Sequence, residues 1–382
     1  MTNDRRSRRE DRSLYPEGSA VDLMVVALGF AEEVRGRVSP NPAVGAIVVR
    51  DFKVAGEGHT QPPGQEHAEI VALRQAGERA RGAGMFVTLE PCSFHGRTPP
   101  CCEAIVAAGV AWVVCAMQDP NPRVSGAGFA FLRDHGIQVE VGSHEQEARA
   151  LLADYIHHME TGLPLVTAKF AASLDGKIAT RSGDSRWISG PETLVWAHEE
   201  RTRIDAIAVG VNTVLVDDPQ LTARPDGAEG DAPQPLRVVV DSGGRTSPRA
   251  RVLTGPARTL IATTARSPEV WRSAIAGAGA EVVVLPERDS HVDLRALLEL
   301  LGGRDCLNLL VEGGGILLGA FFDQGLVDRV QAILAPIIIG GVAAPLAVGG
   351  LGAERMANVL RLESVSVTNL GSDILVQGAV PR

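Results

Sequence analysis

"HAEIVALRQAG", residues 67–77, and "PCSFHGRTPPCC", residues 91–102, are the two segments that define the first domain of this 382-residue chain. In the first, Ile70, Val71, Leu73 and Ala76 recur on one side at helical spacing, with His67 at the helix start. The second follows "MFVTLE" (85–90), an apolar run of strand length, and leads into "CEAIVAAG" (102–109), again helical. His67 and Cys101 thus each open a helix beside a strand, the alternation of an α/β layered domain.

The alternation continues outward. A helix is expected over about 20–35, strands over "AVGAIVV" (43–49), "VAGEGH" (54–59), "AWVVCAM" (111–117) and "IQVEVG" (137–142), and a helix near 127–135. The pattern predicts a mostly parallel sheet. Residues 1–18 read as a disordered basic tail, 19–145 as the first domain, 146–162 as a linker helix and 163–382 as a second α/β domain. The second domain's strands are expected in "LVTAKFAAS", "AIAVGVNTVL", "LRVVVDS", "TLIATT", "EVVVLP", "NLLVEGG" and "RVQAILAPIII". "RPDGAEGDAPQP" (224–235) reads as a surface loop.

Composition excludes several classes. Hydrophobic residues make up 45% and charged residues 22%, as in ordinary globular proteins. A net charge of −9 argues against nucleic acid as the main partner, because phosphate backbones need a basic surface. Five cysteines, three of them clustered, make no disulfide framework and point to a reducing cytoplasm. "RRSRRE" before "LMVVALGFA" (23–31) mimics an export signal, but Asp4, Glu10, Asp11, Glu17 and Asp22 interrupt it. "VQAILAPIIIGGVAAPLAVGGLG" (330–352) has bilayer length, yet two prolines and five glycines make it a strand followed by a loop.

The chemistry lies in the opening segments. A hydrolytic zinc takes three protein ligands and leaves one position for water. His67, Cys92 and Cys101 supply such a set, and Glu69, two residues beyond His67, is placed to move protons as the catalytic acid–base. This is the H-x-E followed by P-C-x-x-C order of zinc deaminases, with eight residues rather than two between the cysteines. A thiolate is expected at Cys101, at a helix N-terminus, with Cys102 packed inward. In the second domain no G-x-G-x-x-G occurs. "VEGGGILLGA" (311–320) is a strand end, glycine run and helix start that can hold a pyrophosphate on bare N–H groups. Lys169, one of three lysines against 34 arginines, falls on a buried strand, where an unpaired lysine is costly, and is expected to have a partner in the active site.

"NPAVGAIVV", "GEGHTQPPGQEHAE", "TLEPCSFHGRTPPCCEAIVAAGV" and "MQDPNPRVSGAG" resemble the RibD family of bifunctional riboflavin-biosynthesis enzymes. The resemblance continues through "AKFAASLDGKIA", "SGDSRWISG", "GVNTVLVDDPQLTAR" and "LLVEGGGILLGAFF", covering about 20–378. It implies a cytidine-deaminase-like three-layer domain followed by a dihydrofolate-reductase-like α/β domain. It implies Zn2+ and NADPH as cofactors, pyrimidine phosphoribosyl substrates, and a cytoplasmic homo-oligomer, dimer or tetramer.

By the same resemblance, Asn41, His59, Arg97 and Asn121 line the deaminase pocket. Ala171, Trp187, Thr213, Asp217, Ser242, Gly314 and Gly315 face the dinucleotide. Lys169, Ser185, Arg201, Leu221, Arg224 and Glu312 face the reductase substrate, with Arg201 and Arg224 as a phosphate clamp. Asp175 and Lys177 are expected to shape the turn after the Lys169 strand. Two rivals compete. A nucleic-acid base deaminase calls for a basic or aromatic groove. A regulatory protein with structural zinc calls for four protein ligands.

Overall fold

The computed structural model describes residues 22–95, 99–225 and 232–381. The chain divides into two compact units, the first ending at Glu160 and the second beginning at Thr161. The expected tail lies outside the described residues.

The first unit runs α1 (Leu23–Glu33), β1 (Gly45–Arg50), β2 (Lys53–His59), α2 (Ala68–Ala76), β3 (Gly84–Val87), α3 (Cys101–Ala108), β4 (Trp112–Cys115), α4 (Ala127–Asp134), β5 (Gln138–Val141), α5 (Glu145–Leu151) and α6 (Ala153–Thr161). Its sheet has the order β2-β1-β3-β4-β5. It is mixed rather than mostly parallel: β1 pairs antiparallel with both β2 and β3, and only β3, β4 and β5 run parallel. The cause is local. Asp51 and Phe52, with φ of 49° and 60°, make a tight turn between β1 and β2, and a connection that short joins only antiparallel strands.

Register fixes the layers. Gly45 faces α1, since a Cβ there would lie 1.9 Å from the Ala27 carbonyl oxygen. Ala46 and Val48 point to the other face, opposite Gly58 and Gly56 of β2. A Cβ at Gly58 would sit 2.5 Å from the Ala68 oxygen, and one at Gly56 2.2 Å from the Ala72 oxygen. Helix α2 therefore lies against bare strand backbone, on the face opposite α1. The "GEGH" glycines seat the helix that starts with His67. The segment expected as one linker helix is two, α5 and α6, broken at Leu152.

The second unit runs β6 (Leu165–Ser173), α7 (Pro191–Glu200), β7 (Ala206–Gly210), α8 (Val211–Asp217), β8 (Leu236–Val240), β9 (Thr259–Thr263), α9 (Glu269–Gly277), β10 (Glu281–Val284), β11 (Glu287–Arg288), β12 (His291–Val292), α10 (Leu294–Gly302), β13 (Asn308–Glu312), α11 (Gly315–Asp323), β14 (Arg329–Ala335), β15 (Glu363–Leu370) and β16 (Asp373–Ala379). Nine strands form one sheet in the order β10-β9-β8-β7-β13-β6-β14-β16-β15. Neighbours from β10 to β14 are parallel, and β16 and β15 close the edge antiparallel. Alternate strand residues feed two cores. Ala206, Ala208, Val238 and Val311 pack with Leu297, Leu301 and Phe321, whereas Ile207, Val209, Val239 and Leu310 pack with Val214 and Ile275. Burial on both faces explains the unbroken apolar runs of these strands.

Two sequence expectations change here. "AIAVGVNTVL" is a strand only to Gly210; "VNTVL" begins α8, because the chain turns at the strand end to cover the sheet. The β15–β16 hairpin was not expected: β15 is exposed along almost its whole length, so its polar residues hide the pattern. The 330–352 segment is β14 and irregular chain, and among the described residues no helix is long and apolar enough to cross a membrane.

Candidate active sites

His67 is the N-cap residue of α2, Cys92 lies beyond β3, and Cys101 is the first residue of α3. The His67 Nδ1 lies 3.6 Å from the Cys92 Sγ and 3.3 Å from the Cys101 Sγ, and all three ligand atoms lie within 4.8 Å of one another. Zinc bonds of about 2.0 Å to nitrogen and 2.3 Å to sulfur, at tetrahedral angles, put N and S about 3.6 Å apart. The donor set therefore fits a tetrahedral ion with one open corner. No fourth histidine, cysteine or carboxylate joins the cluster among the described residues.

Glu69 lies in the first turn of α2, 4% exposed. Burial pushes its carboxyl up to about 7; the Cys92 thiolate adds to the rise and His67 opposes it. A carboxyl that titrates near neutrality suits proton transfer in both directions. The thiolate sits differently from the sequence expectation. The Cys101 backbone N–H, at the α3 terminus, donates to the Cys92 Sγ at 3.3 Å. Hydrogen bonds from Cys101 and His67 hold the Cys92 thiol down to about 4, while the Cys92 sulfur and burial push the Cys101 thiol up. The helix terminus thus serves Cys92, because its free N–H groups point out of the helix rather than at its own first side chain. Cys102 is fully buried, with its Sγ 3.2 Å from the Pro91 carbonyl oxygen.

The expected pocket residues divide. The side chain of Asn41 has no hydrogen-bond partner among the described residues, so its amide is available to a ligand. His59 ends β2 next to Gly58, which touches the start of α2; its Nδ1 lies 3.0 Å from the Gln61 Nε2. The Asn121 Oδ1 instead accepts the Arg123 N–H at 3.0 Å, which makes it a turn former as its Asn-Pro setting allows. Arg97 lies outside the described residues. Sequence reasoning missed Glu90. Its buried carboxylate accepts backbone N–H groups of Asp119, Gly126, Gly128 and Phe129 at 2.9 to 3.3 Å, tying the Cys92 turn to the Asn121 loop. The available signal was a carboxylate at the end of an apolar strand, which must find donors when buried.

In the second unit, Lys169 on β6 and Glu312 on β13 face each other across neighbouring parallel strands. Arg201, just past α7, donates Nε and Nη2 to the Glu312 Oε2 at 3.2 and 2.8 Å. Burial alone would raise the Glu312 pKa, but the Arg201 and Lys169 charges outweigh it and hold the carboxyl well below its ordinary range. Arg201 is thus paired within the protein, and it orients Glu312. Arg224 donates to the Thr222 hydroxyl, and its Nη2 lies 3.3 Å from the His198 Nε2. Burial and the Arg201 and Arg224 charges push His198 down to about 4, so it stays neutral. Lys169 and Arg201 thus share one carboxylate, and Arg224 lies close enough to Arg201 for their charges to repel, an excess of positive charge that an anionic substrate group would offset. His198, three residues before Arg201 on α7, was also missed.

Leu221 corrects another expectation. Its side chain is 5% exposed and packs in the core with Val214 and Val239, so only its backbone, at φ 53°, can face a substrate. Ser185 donates to the Asp217 Oδ1 at 3.1 Å, tying two expected site residues together. Asp175 accepts the Ile339 and Gly340 N–H groups at 3.0 and 2.7 Å, and Lys177 reaches the Ala344 carbonyl, as turn-shaping residues do.

A cavity of about 970 Å³ opens at the carboxyl ends of β7 and β8, in front of the α11 N-terminus. Thr213, Ser242, Gly314 and Gly315 line it. The Thr213 hydroxyl accepts the Gly314 N–H at 3.3 Å. Gly315 has a packing role as well: a Cβ there would lie 2.3 Å from the Leu346 carbonyl oxygen. Ala171, Trp187 and Asp217 are not part of the cavity wall, and Trp187, 71% exposed, is not a core residue. The carboxyl end of a parallel sheet, beside a helix start, is where α/β folds take nucleotides.

Comparison with known proteins matches this division. Residues 19–117 match the cytidine and deoxycytidylate deaminase zinc-binding region, and residues 164–376 match the RibD C-terminal domain. The class is a bifunctional enzyme, a zinc-binding deaminase domain followed by a reductase domain. Riboflavin biosynthesis protein RibD of Escherichia coli K12 is 39% identical over 92% of this chain and 96% of its own. That of Mycobacterium tuberculosis H37Rv is 40% identical over 93% and 96%. The structure of Acinetobacter baumannii RibD superposes with a TM-score of 0.85 at 36% identity, covering 94% of this chain and 98% of that one. A Thermotoga maritima diaminohydroxyphosphoribosylaminopyrimidine deaminase/5-amino-6-(5-phosphoribosylamino)uracil reductase gives 0.81 at 34%, covering 94% and 97%. The chain belongs to the RibD family, the bifunctional deaminase/reductases of riboflavin biosynthesis.

Proposed function

We propose that the first unit hydrolyses the ring amine of 2,5-diamino-6-(5-phosphoribosylamino)pyrimidin-4(3H)-one. The second unit then reduces the ribosyl group of 5-amino-6-(5-phosphoribosylamino)uracil to ribityl. Family membership and the activities named for the Thermotoga protein support both steps. The observation that carries the reading is the His67, Cys92, Cys101 cluster with buried Glu69 beside it. His67, Cys92 and Cys101 hold Zn2+, which when bound supplies an acidified water as nucleophile. Glu69 takes a proton from that water and delivers one to the departing amine. Asn41 and His59 line the pocket, and Asn41 reads the pyrimidine edge with an amide that both donates and accepts.

In the second unit, Thr213, Ser242, Gly314 and Gly315 hold NADPH, which when bound supplies hydride. Lys169, held by Glu312, and Arg224, beside His198, take the opened ribose and its phosphate. A cytoplasmic homo-oligomer acting on small molecules completes the reading. The test is product mass after incubation with the diaminopyrimidine substrate. Without NADPH the product should show exchange of one amine for oxygen; with NADPH it should also gain two hydrogens. An unchanged substrate mass would overturn the proposal.

A further inference from the structure

Helix α7 carries charged groups of the second site at its carboxyl end, His198 on its last turn and Arg201 just past it. Little apolar packing holds this helix: of its ten residues only Thr193 is buried. Its N-cap, Gly190, has no side chain to satisfy the first free N–H groups, and Pro191 follows at once. Polar anchors must therefore set where α7 lies on the sheet.

At the carboxyl end the anchors form one row. Gln331 on β14, Lys169 on β6 and Glu312 on β13 are register partners across three neighbouring strands. Glu200 accepts a Gln331 Nε2 N–H at 3.0 Å, and the next residue, Arg201, donates to Glu312 at 2.8 Å. The amino end is held from β16. Asp373, the first residue of that strand and 1% exposed, accepts the Gly190 N–H at 2.7 Å and the Thr193 hydroxyl at 2.6 Å, both on Oδ2. Its carboxylate supplies, from another element, the cap that Gly190 lacks. The Gly371–Ser372 turn abuts the same end of the helix, where a Cβ on Gly371 would lie 2.4 Å from the Glu192 Oε2. The spacing of the anchors fits the helix. Gln377, the β16 partner of Gln331, is four residues beyond Asp373, about 13 Å along the strand. Ten helical residues span about 15 Å. Ser185 and Arg186 are fastened elsewhere, to the Asp217 carboxylate and carbonyl at 3.1 and 2.7 Å, so that stretch is held independently of Asp373.

We propose that Asp373 is a positioning residue of the reduction: by capping α7 from β16 it sets the height of the helix along the sheet, and so places His198 and Arg201 beside Lys169 and Arg224, where the phosphorylated substrate is taken. The inference rests on the reductase reading of the second unit. Without the cap, α7 relies on its carboxyl-end anchors and tilts about them, and the reduction loses substrate affinity more than cofactor affinity.

Steady-state reduction by the full chain and its D373A, D373N, T193V and T193S variants tests this, with deamination in the same preparations as the control. D373A should raise the KM for 5-amino-6-(5-phosphoribosylamino)uracil roughly tenfold, and T193V by less, with the KM for NADPH and the deamination rate changed little. D373N and T193S should recover most of the loss, since a carboxamide oxygen still accepts and a serine hydroxyl still donates. An NMR titration gives a second reading. Burial and the Arg201 and Arg224 charges hold the His198 imidazole at about 4, and it should rise toward its ordinary 6.5 in D373A and T193V as the helix end hydrates and leaves Arg224. A wild-type KM with an unmoved His198 in both variants overturns the proposal. So does an equal rise of both KM values, which would make Asp373 a general brace of the fold, and so does a loss in T193S as large as in T193V. Should D373A not fold, T193V carries the decision. If wild type does not reduce this substrate at all, the reductase reading falls, and the His198 titration alone decides whether Asp373 places the end of α7.

Discussion

The Lys169 Nζ lies 2.6 Å from the Glu312 Oε1, two register partners on neighbouring parallel strands and mostly buried. Arg201 closes on the other carboxylate oxygen at 2.8 Å. Removing the carboxylate leaves two cations without their counter-ion. Glu312→Gln should therefore destabilise the second unit by about 3 kcal/mol and abolish reduction, with deamination retained. Thermal unfolding and separate assays of the two reactions check this; a variant that melts like wild type would mean the three groups are solvated.

The cluster also predicts a pH dependence. His198 protonates at about 4 in the folded chain, below its ordinary 6.5. Between those values the unfolded chain binds the extra proton, so stability falls as pH drops through that window and is unaffected by this group above it. Replacing His198 by Gln should flatten the fall. Inorganic phosphate bound beside Arg224 should raise the His198 pKa, which an NMR titration of the imidazole would read directly.

Glu69→Gln keeps shape and burial but cannot carry a proton as a carboxylate does. Deamination should drop by roughly 10²–10⁴-fold while zinc content and reduction persist. Loss of metal from the variant would instead make Glu69 a structural ligand.

The adjacent cysteines should separate cleanly. Cys101→Ser should lose zinc and deamination, since its Sγ is one of three ligand atoms gathered within 4.8 Å. Cys102→Ser should keep both, because that sulfur points to the Pro91 carbonyl. Metal analysis of the two purified variants gives the answer, and retention of zinc by Cys101→Ser would refute the ligand set.

Gly58→Ala places a methyl 2.5 Å from the Ala68 carbonyl oxygen, so α2 must shift. Overpacking of this kind costs roughly 1–3 kcal/mol. Because His67 and Glu69 ride on the start of α2, deamination should fall further than stability does. Equal thermal stability with full activity would show that the strand and helix have slack.

Much of this was legible in the sequence because it is local. Helical spacing marks α2 and α3, and buried apolar runs mark the parallel strands. An H-A-E helix start followed by "LEPC" marks the candidate metal ligands, since zinc chemistry allows few substitutes. The need of buried Lys169 for a partner was also local, because an unpaired buried cation is costly. Other features had no local signature. Turn geometry at Asp51 and Phe52, not strand composition, made the first sheet mixed. The alternating valines of "VSVTNL", before the Gly371–Ser372 turn, could have announced the last hairpin, but its exposed face looks like loop.

The sequence by itself determined most of the elements and the side chains proposed for the zinc chemistry, because propensity and ligand type are properties of a few neighbouring residues. Only the tertiary structure decided how charges pair. It paired Arg201 with Glu312, placed the α3 N–H on Cys92, and turned Leu221 into the core. It also gathered Thr213, Ser242, Gly314 and Gly315, remote in the chain, around one cavity. Those outcomes depend on distances between strands remote in the chain, and such distances exist only once the sheet has closed.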